Sequence, residues 1–184
     1  MHRWIAFLFA LALGVAPPLI GQARDSLSLD VTVGPNSGAG GRRPYYNSGG
    51  ISGEVTLAFR AHPARTLAHV EAISLGRRTA MEFGDPCRIV PGEPGCAPAF
   101  PSFGHLAALA GFEWRASRVA GRALAGPALY YGGGPTGAGG QFQLDAAVGF
   151  THLALVVAAR VGLISRFTGE TLRDRSLEFG LRLQ

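Results

Sequence analysis

Nucleophilic catalysis needs a Ser, a His to take its proton and an acid to orient the His, and the chain offers two places to look: His152 with Ser165 and Glu170, and His105 with Ser102. The only cysteines, Cys87 and Cys96, bound the Pro- and Gly-rich stretch CRIVPGEPGC. A metal centre there would need further ligands close by, and the spacing reads instead as a disulfide pinning a loop. The stretch GGGPTGAGG could cradle a phosphate, but that chemistry needs a following Lys and the chain contains none. Arg42 and Arg43, beside Tyr45 and Tyr46, could touch the phosphates of an anionic surface polymer, or simply form a solvated loop.

Which of these groups can act depends on the elements that carry them, and those read as strands. Strict alternation marks SLSLDVTVG (26–34), ISGEVTLAFRA (51–61), HLAALAGFEWR (105–115), QFQLDAAVGF (141–150) and SLEFGLRL (176–183). Three further segments are less regular. TLAHVEAISLG (66–76) has apolar residues in both registers and suggests a bulge that switches face, while RVAGRALAGPALYY (118–131) is interrupted by Gly126 and Pro127. LALVVAARVGLI (153–164) is nearly all apolar, and its β-branched residues favour a strand. On this layout His152 sits on a short turn while Ser165 and Glu170 lie a strand length away, so that set cannot converge. The His105 and Ser102 pair lacks a third member.

The connections between the eight candidates alternate. PNSGAGGRRPYYNSGG, the Cys-bearing segment from Arg77 to Ser102, GGGPTGAGG and SRFTGETLRDR are long, and HPAR, ASR and TH are short. Every long loop therefore leaves one end of an up-and-down antiparallel array. That asymmetry belongs to transmembrane barrels, and with these strands the chain resembles the small eight-stranded outer-membrane barrels of the OmpA and OmpX type. The resemblance implies an eight-stranded antiparallel up-and-down transmembrane β-barrel, a surface or structural role and partnership with the outer-membrane assembly machinery. Such barrels often end on an aromatic residue, and this chain ends on Leu183 and Gln184. Some are lipid A-modifying enzymes, but the His-x-Ser arrangement of the deacylase type is absent, so no catalytic residues and no cofactor are expected.

The N-terminal stretch agrees with export. His2 and Arg3 precede an apolar run from Trp4 to Ala16 that is too short to span a bilayer as a helix and is followed by Pro17 and Pro18, with small residues at Gly21 and Ala23. Residues 1–23 read as a cleaved signal peptide and 24–184 as the barrel domain. An exported chain is also where a local disulfide would persist. Charged residues are only 16% of the chain, against 27 glycines, which fits turns and small side chains better than disorder. All 17 basic residues are Arg and the formal charge is +5, but the arginines are dispersed along the chain. A nucleic-acid footprint would gather them on one face, so no nucleic-acid partner is expected.

Alternation alone does not say which face is wet, since a soluble ligand-carrying barrel alternates too. Three features favour lipid outside. The polar faces carry charges of both signs, Asp30, Glu54, Arg60, Glu113, Arg115, Arg122, Asp145, Arg160, Glu178 and Arg182, among small residues, as a narrow charge-paired lumen would require. Aromatics fall near strand ends, with Phe59, Trp114 and Phe150 toward the short turns and Tyr45, Tyr46, Phe103, Tyr130, Tyr131 and Phe167 toward the long loops, suggesting two interfacial girdles. The apolar stretches also have the length of a tilted spanning strand. An eight-stranded lumen is about filled by side chains, so the expectation is a monomeric anchor in outer-membrane lipid, with lipopolysaccharide as a further partner, and not an open pore.

Overall fold

The computed structural model describes residues 27–40, 49–62, 65–80, 102–132, 137–150, 152–166 and 171–184. Every regular element among them is a strand: β1 (Leu27–Gly40), β2 (Gly49–Arg60), β3 (Leu67–Ala80), β4 (Phe103–Ala116), β5 (Val119–Tyr131), β6 (Gly137–Phe150), β7 (Leu153–Arg166) and β8 (Thr171–Leu183). Each pairs antiparallel with its sequence neighbours, and β8 pairs with β1 to close the barrel. Closure leaves no sheet edge open. The register is constant through each pair, so no bulge interrupts any ladder.

β3 therefore keeps one facing throughout, contrary to the expected bulge. Ala68, Val70, Ala72 and Ser74 turn inward while Leu67, Ile73 and Leu75 turn outward. The small side chains take the cramped side of the sheet and the large ones the roomy side, which settles a register that hydrophobicity left open.

The stagger sets the geometry. Following paired residues from Asp30 through Thr56, Ser74, Ala107, Ala128, Gly139, Ile164 and Leu172 returns to β1 at Gly40, ten residues beyond the start. Ten residues at about 3.3 Å against eight spacings of about 4.8 Å give a strand tilt of about 41°. At that tilt strands of 12 to 14 residues climb roughly 30–35 Å, enough to cross an apolar band of about 25 Å.

Residues 61–66, 117–118 and 151–152 connect strands at one end, the turn end, and 41–48, 81–102, 132–136 and 167–170 at the other, the loop end. The connection 61–66 is longer than 132–136 and 167–170, so the difference in length between the two ends is smaller than expected, because several strands run further than alternation predicts. β1 continues through PNSGAG, β3 through Arg78 to Ala80, and β8 begins at Thr171. The ladder extends there because backbone pairing does not require an apolar outer face, so Ser, Arg and Gly continue it above the apolar stretch. In the tight Ser117–Arg118 turn, Ser117 has φ 51°, the left-handed conformation that a two-residue reversal demands.

The β1–β8 closure is tight. Gly180 faces inward against β1, and a Cβ there would overlap the Val31 carbonyl oxygen. Gly180→Ala is therefore expected to destabilise the barrel by about 1–3 kcal/mol, read as a lowered urea midpoint beside wild type. An unchanged midpoint would mean that the strands can part there without loss.

Candidate functional site

Alternation sends every second side chain into a cylinder too narrow for an open channel, and the chain places its charges on that face. Asp30, Glu54, Arg60, Glu113, Arg122, Asp145, Arg160, Glu178 and Arg182 are buried. Six buried carboxylates, Asp30, Glu54, Glu113, Asp145, Asp174 and Glu178, face five buried guanidiniums, Arg60, Arg78, Arg122, Arg160 and Arg182. Arg115, with a side chain 31% exposed at the turn end, is a sixth.

Near the turn end the network centres on Asp30 and Glu113. Arg182 donates to both oxygens of Asp30 at 2.8 Å and to Asp145 Oδ1 at 2.6 Å. Arg122 reaches across the lumen from β5, donating from Nη1 to Asp30 Oδ2 at 3.2 Å, from Nη2 to Ser28 Oγ at 2.7 Å, and from Nε to Glu113. Arg60 and Arg115 both lie 3.0 Å from Glu113 Oε1. Gln143 donates to Asp145 at 3.0 Å.

Toward the loop end a second tier centres on Glu54 and Glu178. Glu178 accepts from Thr32 at 2.7 Å, from Ser52 at 2.6 Å and from Arg160. Arg160 also lies 3.0 Å from Glu54 Oε1, which accepts from Gln141 at 3.0 Å and from Ser74. His105 Nε2 sits 3.2 Å from Glu54 Oε2, and Arg78 pairs with Asp174. Above and beside this tier lie apolar residues: Phe103 meets Tyr130 edge-on with centroids 5.6 Å apart, and Ile164 and Leu172 are fully buried on paired positions of β7 and β8.

The outer surface is the inverse. Val31, Val55, Ile73, Phe112, Leu129, Leu144, Val157 and Phe179, one on each strand, are all 41–57% exposed. A soluble ligand carrier would enclose an apolar cavity and wet its outside; here the ion pairs are inside and a continuous apolar band is outside. Only a closed sheet can present that band to hydrocarbon with its backbone groups paired. The fold is similar to that of Neisserial surface protein A, with a TM-score of 0.60 and 14% identity over 85% of this chain and 96% of that one. This is the fold of the small eight-stranded outer-membrane barrels. Ail, the attachment invasion locus protein of Yersinia pestis, is also similar, with a TM-score of 0.46 and 12% identity over 86% of this chain and 99% of that one. No family model matches the chain, and no curated protein does.

The barrel corrects part of the girdle expectation. Tyr130, expected at the lipid interface, is 2% exposed inside the lumen, where its hydroxyl donates to the Gly140 carbonyl at 3.1 Å, while Tyr131 is 47% exposed outside. Neighbours on a strand point to opposite faces, so only one of the two can meet lipid. Phe103 is likewise inward. Phe59 and Trp114 face outward near the turn end, and Phe150 closes β6 as its last residue. Cys87, Cys96, Arg42, Arg43, Tyr45, Tyr46, Phe167 and Glu170 lie outside the described residues.

Three members of the network were not anticipated as lumen charges. Arg78 and Asp174 fell in segments read as loops, although each continues the inward parity of its strand two residues at a time, from Ser74 and from Glu178. His105 was considered for catalysis, and its near neighbours are Glu54 and the Tyr130 ring, 6.0 Å away by centroid. His152 is exposed on the β6–β7 turn, while Ser165 is near the loop end of β7, a full strand away.

Proposed function

We propose that the chain is an outer-membrane protein, exported after removal of residues 1–23, whose barrel anchors it as a monomer and whose longer connections carry surface interactions. The observation that carries this reading is the inversion of polarity, with buried ion pairs inside and an apolar band around all eight strands. A lumen crossed by Arg122 to Asp30 and by Arg160 to Glu54 suits an anchor better than a diffusion pore. The assembly machinery of the outer membrane inserts the barrel, and lipid and lipopolysaccharide surround it. Cys87 and Cys96 form a disulfide that pins the β3–β4 connection, and the barrel performs no catalysis.

Expression in a Gram-negative host tests this. The protein should stay in the alkali-washed outer-membrane fraction and migrate differently on a gel before and after boiling, as a detergent-resistant barrel does. Solubility without detergent together with identical mobility would overturn the reading. The non-enzymatic part predicts an unchanged lipid A profile on overexpression.

A further inference from the structure

Outward-facing charges on the strands are few, and the basic ones are not scattered. Arg77 on β3 and Arg173 and Arg175 on β8 are exposed and belong to the loop-end halves of their strands. The acidic Glu71 faces outward in the turn-end half of β3. Each buried arginine of the lumen meets a carboxylate, whereas these three are paired with none among the described residues. Unpaired guanidiniums at the edge of an apolar band call for an anion at that level, and their planar fork suits phosphate.

Between the two flanks lies a groove of about 470 Å³, with Val33, Pro35, Gly49 and Ile51 in its lining. The register ties it to both flanks: Arg175 is in register with Ser37, which pairs with Gly49 of the lining, and Val33 of the lining pairs with Gly53, which pairs with Arg77. Rows of paired residues climb toward the loop end from β8 to β3, because a full circuit gains ten residues of β1. Arg77 is thereby lifted to about the level of Arg175, although it belongs to the lower row. The flanks stand three strand spacings apart, about 14 Å perpendicular to the strands, which at a tilt of about 41° is about 19 Å along the wall at one level. One phosphate cannot engage both.

Resting on the membrane reading above, we propose that the wall of β8, β1, β2 and β3 binds a bis-phosphorylated glycolipid of the surrounding leaflet. Arg173 and Arg175 take one phosphate, Arg77 takes the other, and an acyl chain lies in the groove between them. The two phosphates at opposite ends of a disaccharide head reach both flanks when the long arginine side chains extend inward from each, and a diacyl lipid with a single phosphate satisfies one.

The test refolds wild type, the Arg77→Gln/Arg173→Gln/Arg175→Gln variant and Gly53→Leu into phosphatidylcholine vesicles. The vesicles contain equal small fractions of bis-phosphoryl lipid A, monophosphoryl lipid A and phosphatidylglycerol. Lipid retained per barrel after detergent extraction is counted by mass spectrometry. Gly53 tolerates a side chain, since a Cβ there meets only the Thr32 carbonyl at 3.7 Å. Wild type should retain bis-phosphoryl lipid A at least tenfold over the other two. The triple variant should lose that preference with its boiling-dependent gel shift intact, and Gly53→Leu should weaken retention with all three arginines present. Equal retention of the three lipids by wild type, or undiminished retention by the triple variant, overturns the site while leaving the membrane reading standing. Failure of wild type to insert into vesicles overturns both.

Discussion

Replacing Arg182 by Met should cost the barrel about 3–5 kcal/mol, the range for removing one partner of a buried charge pair. Met keeps most of the length and apolar stem, so the change deletes charge and hydrogen bonds more than volume. Arg182 is fully buried and holds Asp30 with two donors and Asp145 with a third. Without it, among the described residues, Asp145 keeps only Gln143, and Asp30 keeps only Arg122 at 3.2 Å. The loss comes chiefly from stranded carboxylates, which gives a rescue: Asp30→Asn and Asp145→Asn added to Arg182→Met should recover at least half of it. Arg122 would still have Glu113 and Ser28 in that background. Urea titration in a fixed detergent or lipid reads the series. Arg173→Met, on the outer face of the same strand, should stay within about 0.5 kcal/mol of wild type. Equal effects of Arg182→Met and Arg173→Met would show that the lumen network adds nothing to stability.

The same network explains what could be read from sequence. Charges in otherwise alternating strands declared their facing, because a lone Asp30 or Glu178 among Leu and Val leaves one choice of parity. Arg160 did this for β7, where Ala154, Val156, Ala158 and Ile164 turn inward and Leu155, Val157 and Leu163 outward with no other polar marker. Partners were not legible. Which arginine meets which acid depends on stagger, and the links from Arg122 to Asp30 and from Glu54 to Arg160 cross the lumen between strands that are not neighbours. Strand ends were hidden for a different reason. Above the apolar band the outward residues become Ser37, Thr79, Arg173 and Arg175, so hydrophobic alternation fades while backbone pairing continues. Arg78 and Asp174 disappeared into supposed loops for that reason alone. Tyr130 was misplaced because aromatics near strand ends suggested lipid, and the pair Tyr130–Tyr131 needed parity to decide it.

Inner and outer faces also differ in what sizes they accept. Small residues dominate the inner face wherever no charge is needed, with Ala58, Ala72, Ala107, Ala128 and Ala158 all buried. A barrel of eight strands leaves little room inside, and long charged side chains can meet at the centre only if Ala, Ser and Gly surround them. The filled lumen follows from strand number and stagger together with this distribution of sizes. On the proposed reading as an anchor, specificity resides on the outer wall or at the loop end.

Leu144→Arg should be costly for the opposite reason to Arg182→Met. Leu144 stands midway along β6, is 48% exposed, and is flanked in the ladder by Ala123 and Ala159, which offer no anion. In a bilayer the new guanidinium would lie near the middle of the apolar band, where Arg costs roughly 2–4 kcal/mol. Thr171→Arg, also outward but at the loop-end start of β8, should cost about 0–1 kcal/mol, because charge near the interface reaches water. Urea unfolding from lipid vesicles measures both. The depth dependence is the informative quantity: a barrel standing in water would tolerate Arg equally at both positions, since each side chain is exposed, and Leu144→Arg would raise its solubility. A several-fold larger loss at Leu144 than at Thr171 requires an apolar medium against the centre of the wall, and equal small losses would remove the bilayer from the account of this fold.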